Sequence, residues 1–166
     1  MAVKQINYDV DGDEALSPVL MELINTFPGL GTRTVEFSTL GKDAGIGFFP
    51  TSGAAIVRSK TSVTGRVWQL CAYPFGVVYR IGARTEDQRM KAKEFLDALG
   101  RWLERQPVTV DGTVCQILHY PKLENGQRRI LEIKRTSPAY NSDAGADNIE
   151  DWAITLSCQY TNEFKR

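Results

Sequence analysis

The spacing of apolar residues predicts a strand followed directly by a helix in the middle of the chain. Apolar side chains alternate with others from Phe75 to Ile81, which places them on one face of a β-strand. Thr85 then begins the segment T-E-D-Q, in which a hydroxyl caps the third helical N–H and a glutamine reaches back to the cap. Apolar residues follow at helical spacing until Pro107, so we predict a helix over residues 86–105 that packs on a sheet.

The first half of the chain predicts one helix and a run of strands. Ser17 followed by Pro18 is typical of a helix start, because serine caps the helix and a proline at the first position needs no N–H. The apolar stripe that follows ends at Pro28-Gly29. Glycine, proline and serine then divide the next stretch into strands, which we expect at residues 33–39, 46–49, 54–60, 66–72 and 75–81.

The second half predicts a hairpin and a long last strand. Asn125-Gly126 separates two strand-like runs, 113–123 and 128–134, and both turn residues tolerate positive φ. Residues 152–160 alternate strictly between apolar and wetter positions. The order of elements predicts a single α+β domain over residues 1–166, with a mostly antiparallel sheet and two helices packed on it. Residues 136–150 lack an apolar period, and we predict a long flexible loop there.

Composition indicates an ordinary globular protein. Hydrophobic residues make up 42% and charged residues 24% of the 166 residues, and 20 basic side chains balance 20 acidic ones. A net charge of zero argues against a dedicated nucleic-acid binder without excluding a local basic patch. No apolar run reaches the ~20 residues that a membrane span needs, so we expect no membrane association. The N-terminus has no apolar core of signal-peptide length, and we expect a cytoplasmic protein whose three scattered cysteines are buried thiols.

The residue types that carry chemistry do not form a recognisable site. The acidic segment from Asp9 to Asp13 lacks the glycine and glutamate spacing of an EF-hand, and we interpret it as an acidic approach to a helix. The single histidine, His119, lies too far along a strand from Cys115 for a hydrogen bond. The glycines between residues 41 and 47 do not match a phosphate-binding loop. We therefore expect no catalytic, metal or cofactor site, and a protein that is not an enzyme.

A basic edge follows the predicted hairpin turn. Arg128-Arg129 and Lys134-Arg135 lie at the two ends of one strand, with Glu132 between them. Charged residues on an edge strand commonly prevent unwanted strand pairing, and we favour that interpretation. Phosphate contact with DNA that passes nearby is the functional alternative.

Three segments, which together make up just under half of the chain, carry a family resemblance. They are the early helix with its F-P-G-L linker (residues 16–30), the segment GKDAGIGFFPTSGAAIVRSKTSVTGRVWQL (residues 41–70) and the segment YPFGVVYRIGARTEDQRMKAKEFLDALGRWLE (residues 73–104). In their order and pattern they resemble a family of small phage and prophage morphogenesis proteins, often labelled minor capsid proteins. The better-understood members of that family look like tail terminators of long-tailed phages.

The resemblance implies a structural role in a virion. A tail terminator assembles in the host cytoplasm as a ring, usually hexameric, at the head-proximal end of the tail tube. There it ends polymerisation of the major tail tube protein and joins the tail to the head–tail connector proteins, while DNA passes through the ring without sequence-specific binding. Two alternatives stay open: another neck or head-completion (minor capsid) protein, and a small cytoplasmic enzyme.

Five residues are candidates for contacts in such an assembly. Adjacent phenylalanines on a strand point to opposite faces, so one of Phe48 and Phe49 can enter the core while the other meets a partner. We predict contact with a neighbouring subunit at Phe48, Phe49 and Arg58. In the long loop, we predict contact with the tube or the connector at Tyr140 and Asn141.

Overall fold

The computed structural model describes residues 5–83, 85–123, 126–144 and 148–166, and it confirms the α+β class. Within these residues, two long helices and nine strands follow each other, with a short 3₁₀ helix at Pro28–Leu30 after the first helix. The order is α1 (Val10–Asn25), β1 (Val35–Phe37), β2 (Gly45–Pro50), β3 (Ala55–Thr61), β4 (Arg66–Gly82), α2 (Glu86–Leu103), β5 (Val108–Val110), β6 (Thr113–Cys115), β7 (Arg128–Arg135), β8 (Tyr140–Ala144) and β9 (Ile149–Lys165).

The sheet is built around two strands of 17 residues each, β4 and β9, which pair antiparallel along their whole length from Arg66–Lys165 to Gly82–Ile149. Shorter strands flank this central ladder on both sides. β3 and β2 pair in succession with β4, and β7 and β8 pair in succession with β9. At the edge, β1 pairs with β2 in the parallel sense, which is the one parallel pairing among the described strands.

Both long helices pack on the same face of the sheet. The Ser17 hydroxyl of α1 lies 2.6 Å from the Tyr73 hydroxyl of β4, and the Phe95 ring of α2 lies 5.1 Å from the ring of Tyr79. Because side chains alternate along a strand, this face carries the odd-numbered residues of β4 and the even-numbered residues of β9. Those positions form the core, which includes the fully buried residues Tyr73, Phe75, Val77, Ile154, Leu156, Cys158 and Tyr160.

Neither long helix packs against the opposite face of the sheet, which we call the open face. It carries the even-numbered residues of β4, from Arg66 to Arg80, and the odd-numbered residues of β9, from Asp151 to Lys165. The small and polar side chains of β9 there agree with the alternation read from the sequence. The last strand is therefore confirmed, and it is longer than predicted.

The first helix begins earlier than predicted. Asp9, and not Ser17, is the N-cap: its carboxylate accepts a hydrogen bond from the backbone N–H of Gly12. Pro18 lies inside the helix, and the Ser17 hydroxyl donates to the carbonyl oxygen of Asp13. The acidic segment is thus the helix start, since its carboxylates lie in the first turn, where the helix dipole favours negative charge.

Residues 66–82 form one strand, although the sequence predicts a break between 72 and 75. Pro74 interrupts the expected pattern because proline has no N–H to donate. Its carbonyl accepts from the N–H of Thr51, so its nitrogen points to the same side, between the ends of β2 and β3. At that junction the ladder needs no donor, and the central strand continues through the proline.

The predicted hairpin is wrong in its pairing. β6 pairs with β5, across a turn in which Asp111 and Gly112 have φ of 49° and 79°. β7 pairs with β9 instead. Asp-Gly satisfies the same left-handed turn geometry as Asn-Gly. Asn125, in the predicted turn, lies outside the described residues.

The segment 136–150 contains regular structure, contrary to the prediction of a long loop. β8 spans Tyr140–Ala144 and pairs with the first residues of β9. Pairing of a polar, irregular segment depends on a preformed neighbouring strand, which local periodicity does not reveal.

Candidate interaction surfaces

The two adjacent phenylalanines lie on opposite faces, as predicted. Phe48 is opposite Val77, is fully buried and stacks on Phe75 with ring centroids 5.1 Å apart. It cannot contact a neighbouring subunit, so that part of the prediction is wrong. Phe49 lies half-buried on the open face, where its ring covers Gly47 so closely that any side chain at that position would collide with it.

The two residues predicted for tube or connector contact lie at the start of β8. Tyr140 is 42% exposed and is opposite Ala153 on the open face. Asn141 is exposed, but its amide donates to Glu150 at 3.1 Å, which ties β8 to β9. Glu150 also accepts from Arg89 of α2 at 2.9 Å. Tyr140 is thus the more available of the two side chains for a partner.

The structure separates the four basic residues of β7 by face. On the helix side, Arg128 forms a two-pronged ion pair with Asp9, at 2.8 and 3.0 Å. Arg135 reaches Glu104 at the end of α2, at 2.8 Å. Arg129 and Lys134 instead lie on the open face, opposite Thr161 and Ser157. Two of the four cations therefore hold elements together, and two face outward.

The Arg128–Asp9 pair is part of a buried polar cluster. The Tyr160 hydroxyl donates to the same carboxylate at 2.7 Å. Burial alone would raise the pKa of Asp9, but the hydrogen bonds from Arg128 and Tyr160 outweigh it and hold that pKa below its usual value. This cluster joins α1, β7 and β9 and leaves Asp9 no capacity for chemistry with a ligand.

A cleft of about 710 Å³ contains the single histidine. His119 lines it together with Arg105, Lys122, Arg128 and Arg129 and with apolar residues. The described part of the lining has no carboxylate, thiol or aliphatic hydroxyl. A histidine base needs such a nucleophile or orienting group within hydrogen-bond reach, and the described lining supplies none.

The thiols in the core are held in their unreactive form. Burial raises the pKa of Cys158 to about 12 and that of Cys71 to about 11. A thiolate is the reactive species, so neither residue is a nucleophile at neutral pH. Cys115 is the partly exposed member of the three, and all three are unpaired.

None of the helices in the described part of the chain combines the length and the apolar character that crossing a lipid bilayer requires. Within the same residues, no three side chains of His, Cys, Asp or Glu converge in a way that would hold a metal ion.

Comparison with solved structures relates the fold to a virion protein. The chain is similar to a protein chain from the virion of a native gene transfer agent (GTA) particle, with a TM-score of 0.56 and 12% sequence identity. The similarity covers 94% of this chain and 100% of the other. No family model matches the sequence, and no curated protein matches it. Because the identity is low, the likeness establishes a shared fold.

One feature of the open face could not be found from the sequence. Arg58, Leu70, Thr161 and Arg129 lie in one row across four neighbouring strands, because 58 is opposite 70, 70 is opposite 161, and 161 is opposite 129. In the sequence these positions are up to 103 residues apart. The only signal is that each lies at an outward position of its own strand, and this becomes a pattern once the strand pairing is known.

Proposed function

We propose that this protein is a structural component of a phage or prophage-derived virion, and specifically a tail terminator. It assembles as a ring on the head-proximal end of the tail tube, ends tube polymerisation and presents a surface to the head–tail connector. Its mechanism is association and not bond chemistry. The observation that supports the virion role is the fold similarity to a GTA virion protein, which extends over nearly all of both chains. The choice of a tail terminator rests on the sequence resemblance of residues 16–30, 41–70 and 73–104.

Two edges of the sheet are available for contacts between the subunits of a ring. Residues 7–9 pair with the beginning of β3, through hydrogen bonds from Ile56 to Asn7 and from Asp9 to Ala54. No described strand covers the rest of that edge, and none covers the outer edge of β8 on the other side of the sheet. A closed ring needs two different surfaces that meet head to tail, and strand addition between opposite edges satisfies that requirement.

Phe49 and Tyr140 are the side chains that we assign to assembly contacts. Both are aromatic, lie on the open face at the end near β2 and β8, and remain partly accessible in the monomer. Aromatic residues are enriched where protein surfaces meet. Phe49 would contact a neighbouring subunit, and Tyr140, with Asn141 beside it, would contact the tube or the connector.

Electron microscopy of tails assembled with and without this protein tests the role. We expect tubes of defined length that carry a ring of this protein at one end, and tubes of undefined length when the protein is omitted. If omission leaves both the length and the tube end unchanged, the terminator role is refuted. Binding to portal-side connector rings alone would instead identify another neck protein.

The contact residues are tested in the same assay. Phe49→Ala and Tyr140→Ala are expected to abolish length control while the isolated protein stays folded. Met90→Ala is the matched control, because Met90 is an apolar side chain that is 61% exposed on α2, away from the open face. Equal behaviour of all three variants would refute the assignment of the contacts.

A further inference from the structure

We propose that the open face at the β3–β7 end of the sheet is a sequence-independent contact surface for the phosphate backbone of double-stranded DNA. The inference deepens the proposed function, because this face would then line the channel of the ring. The cationic residues that form the surface are Arg58, Lys60, Arg66, Arg129, Lys134 and Lys165.

The charge on this surface is not neutralised within the chain. The open-face carboxylates of this region are Glu132 and Glu163, which pair with Lys134 and Arg66 at 3.0 Å each. The four remaining cations have no carboxylate partner among the described residues. These unpaired cations are Arg58, Lys60, Arg129 and Lys165.

The cations are spread over the width of the sheet. Arg58 on β3 and Arg129 on β7 lie in one row, separated by three strand spacings, or about 14 Å at ~4.8 Å per strand. In the next row, the Lys60 ammonium lies 5.7 Å from the centroid of the Trp68 ring. A set of long cationic side chains that spans four strands fits a polyanion that passes over the surface.

The side chains between the cations favour DNA over an acidic protein surface. Ser157, Gln159 and Thr161 occupy successive open-face positions of β9, opposite Pro74, Ala72 and Leu70. Hydroxyl and amide groups are common donors to phosphate oxygens. Lysine and serine, by contrast, are depleted from the buried centre of protein–protein interfaces. This assignment replaces the subunit contact predicted for Arg58.

The first helix, on the opposite side of the sheet, has the opposite charge. α1 carries Asp11, Asp13, Glu14 and Glu22, and no basic residue occurs between residues 5 and 32. A net charge of zero therefore combines an acidic first helix with a basic surface at this end of the sheet. Near DNA this separation turns the basic surface toward the phosphates and α1 away from them.

Fluorescence anisotropy of a labelled random-sequence 30-base-pair duplex tests the inference on the purified protein, at salt concentrations from 20 to 200 mM. With four phosphate contacts, the slope of log affinity against log salt is expected to be about −3.6. Affinity should then fall about 150-fold between 50 and 200 mM salt. A duplex of different sequence should bind equally.

A pair of variants with equal charge change separates the surface from net charge. Arg58→Gln with Arg129→Gln is expected to halve the slope, to about −1.8, which reduces the loss between 50 and 200 mM salt to about 12-fold. Lys91→Gln with Arg101→Gln removes the same charge from exposed positions on α2 and is expected to leave the slope near −3.6. Circular dichroism and thermal unfolding verify that both variants are folded.

Three results would overturn the proposal. These are no binding at 20 mM salt, an equal loss in the two double variants, and competition by polyglutamate of matched charge that is as effective as unlabelled DNA. The last result would assign the surface to an acidic protein. The binding assay does not require ring assembly, so a protein that fails to bind DNA could still be a tail terminator. Conversely, a protein that binds DNA but does not control tube length would refute the terminator role and leave the DNA surface intact.

Discussion

Replacing Asp9 by asparagine removes the charge at the centre of the buried polar cluster and changes little else. The carboxylate accepts from Arg128 at 2.8 and 3.0 Å and from the Tyr160 hydroxyl at 2.7 Å. Asparagine has nearly the same shape and is an equally good N-cap, so the hydrogen bond from the Gly12 N–H can persist. The substitution therefore isolates the ion pair from the cap.

The expected loss is large because the guanidinium that remains has little access to bulk water. The side chains of Arg128 and Asp9 are only 13% and 8% exposed. Breaking a buried pair by removing one partner costs about 3–5 kcal/mol, out of a total stability of about 5–15 kcal/mol for a single domain. With a urea m-value of about 2 kcal/mol per molar, the midpoint of unfolding should fall by about 1.5–2.5 M.

Urea unfolding at pH 7, followed by far-UV circular dichroism, measures this loss. Asp11→Asn is the matched control, because Asp11 lies in the same helical turn but is exposed, and its loss should cost about 0.3–1 kcal/mol. Combining Asp9→Asn with Arg128→Gln should cost no more than Asp9→Asn alone, since the unpaired charge is gone. If Asp9→Asn and Asp11→Asn destabilise equally, the argument for the buried pair is refuted.

The same pair predicts a dependence on pH. Although burial opposes it, the hydrogen bonds from Arg128 and Tyr160 leave the pKa of Asp9 lowered from 3.8. A carboxylate with a lowered pKa stabilises the fold above its unfolded-state pKa of about 3.9, and this stabilisation is lost as pH falls through the folded-state pKa. The stability difference between the native protein and Asp9→Asn should therefore shrink below about pH 4. A constant difference down to pH 2 would contradict this account.

Three further substitutions or measurements follow from local packing. Gly12→Ala would gain about 1 kcal/mol in an ordinary helix, but here the added methyl collides with the N-cap carboxylate, so we expect a lower urea midpoint than that of the native protein. Thr85→Ala removes the capping box of α2 and should cost about 1 kcal/mol by the same measurement, whereas an unchanged midpoint would refute the cap. In a thiol-labelling time course on the native protein, Cys115 should react first and Cys71 and Cys158 only on unfolding; simultaneous reaction of all three would contradict the burial described.

Local signals in the sequence predicted the elements whose causes are themselves local. The capping box at Thr85 is confirmed, with Gln88 donating its N–H at 3.3 Å and accepting at 3.2 Å. The alternation in β9 and the opposite faces of Phe48 and Phe49 are confirmed as well. In each case the local structure is determined by a repeat of 2 residues in a strand or 3.6 residues in a helix, or by a cap within four residues.

Features that depend on a partner distant in the sequence could not be predicted from local patterns. Pro74 is tolerated because β2 and β3 leave a gap beside it, and β8 forms because β9 is there to pair with it. The basic row of the open face has the same origin, since strand pairing places Arg58 and Arg129 in one row across four strands. Tertiary context decided all three, whereas local propensity favoured a break, a loop and a charged edge.

The long pairing of β4 with β9 has a consequence for how the chain folds. Its closest contact in sequence, Gly82 with Ile149, spans 67 residues, and its most distant, Arg66 with Lys165, spans 99. Both helices can form locally in about a microsecond. The core sheet forms only after the chain between β4 and β9 has closed into a loop, and the entropic cost of that closure comes before any free-energy gain from contacts. Nascent chains consequently carry β4 without its main partner until the last strand has been synthesised. We therefore expect refolding in milliseconds to seconds, with the helical signal preceding burial of the tryptophans, because the two central strands are far apart in the sequence.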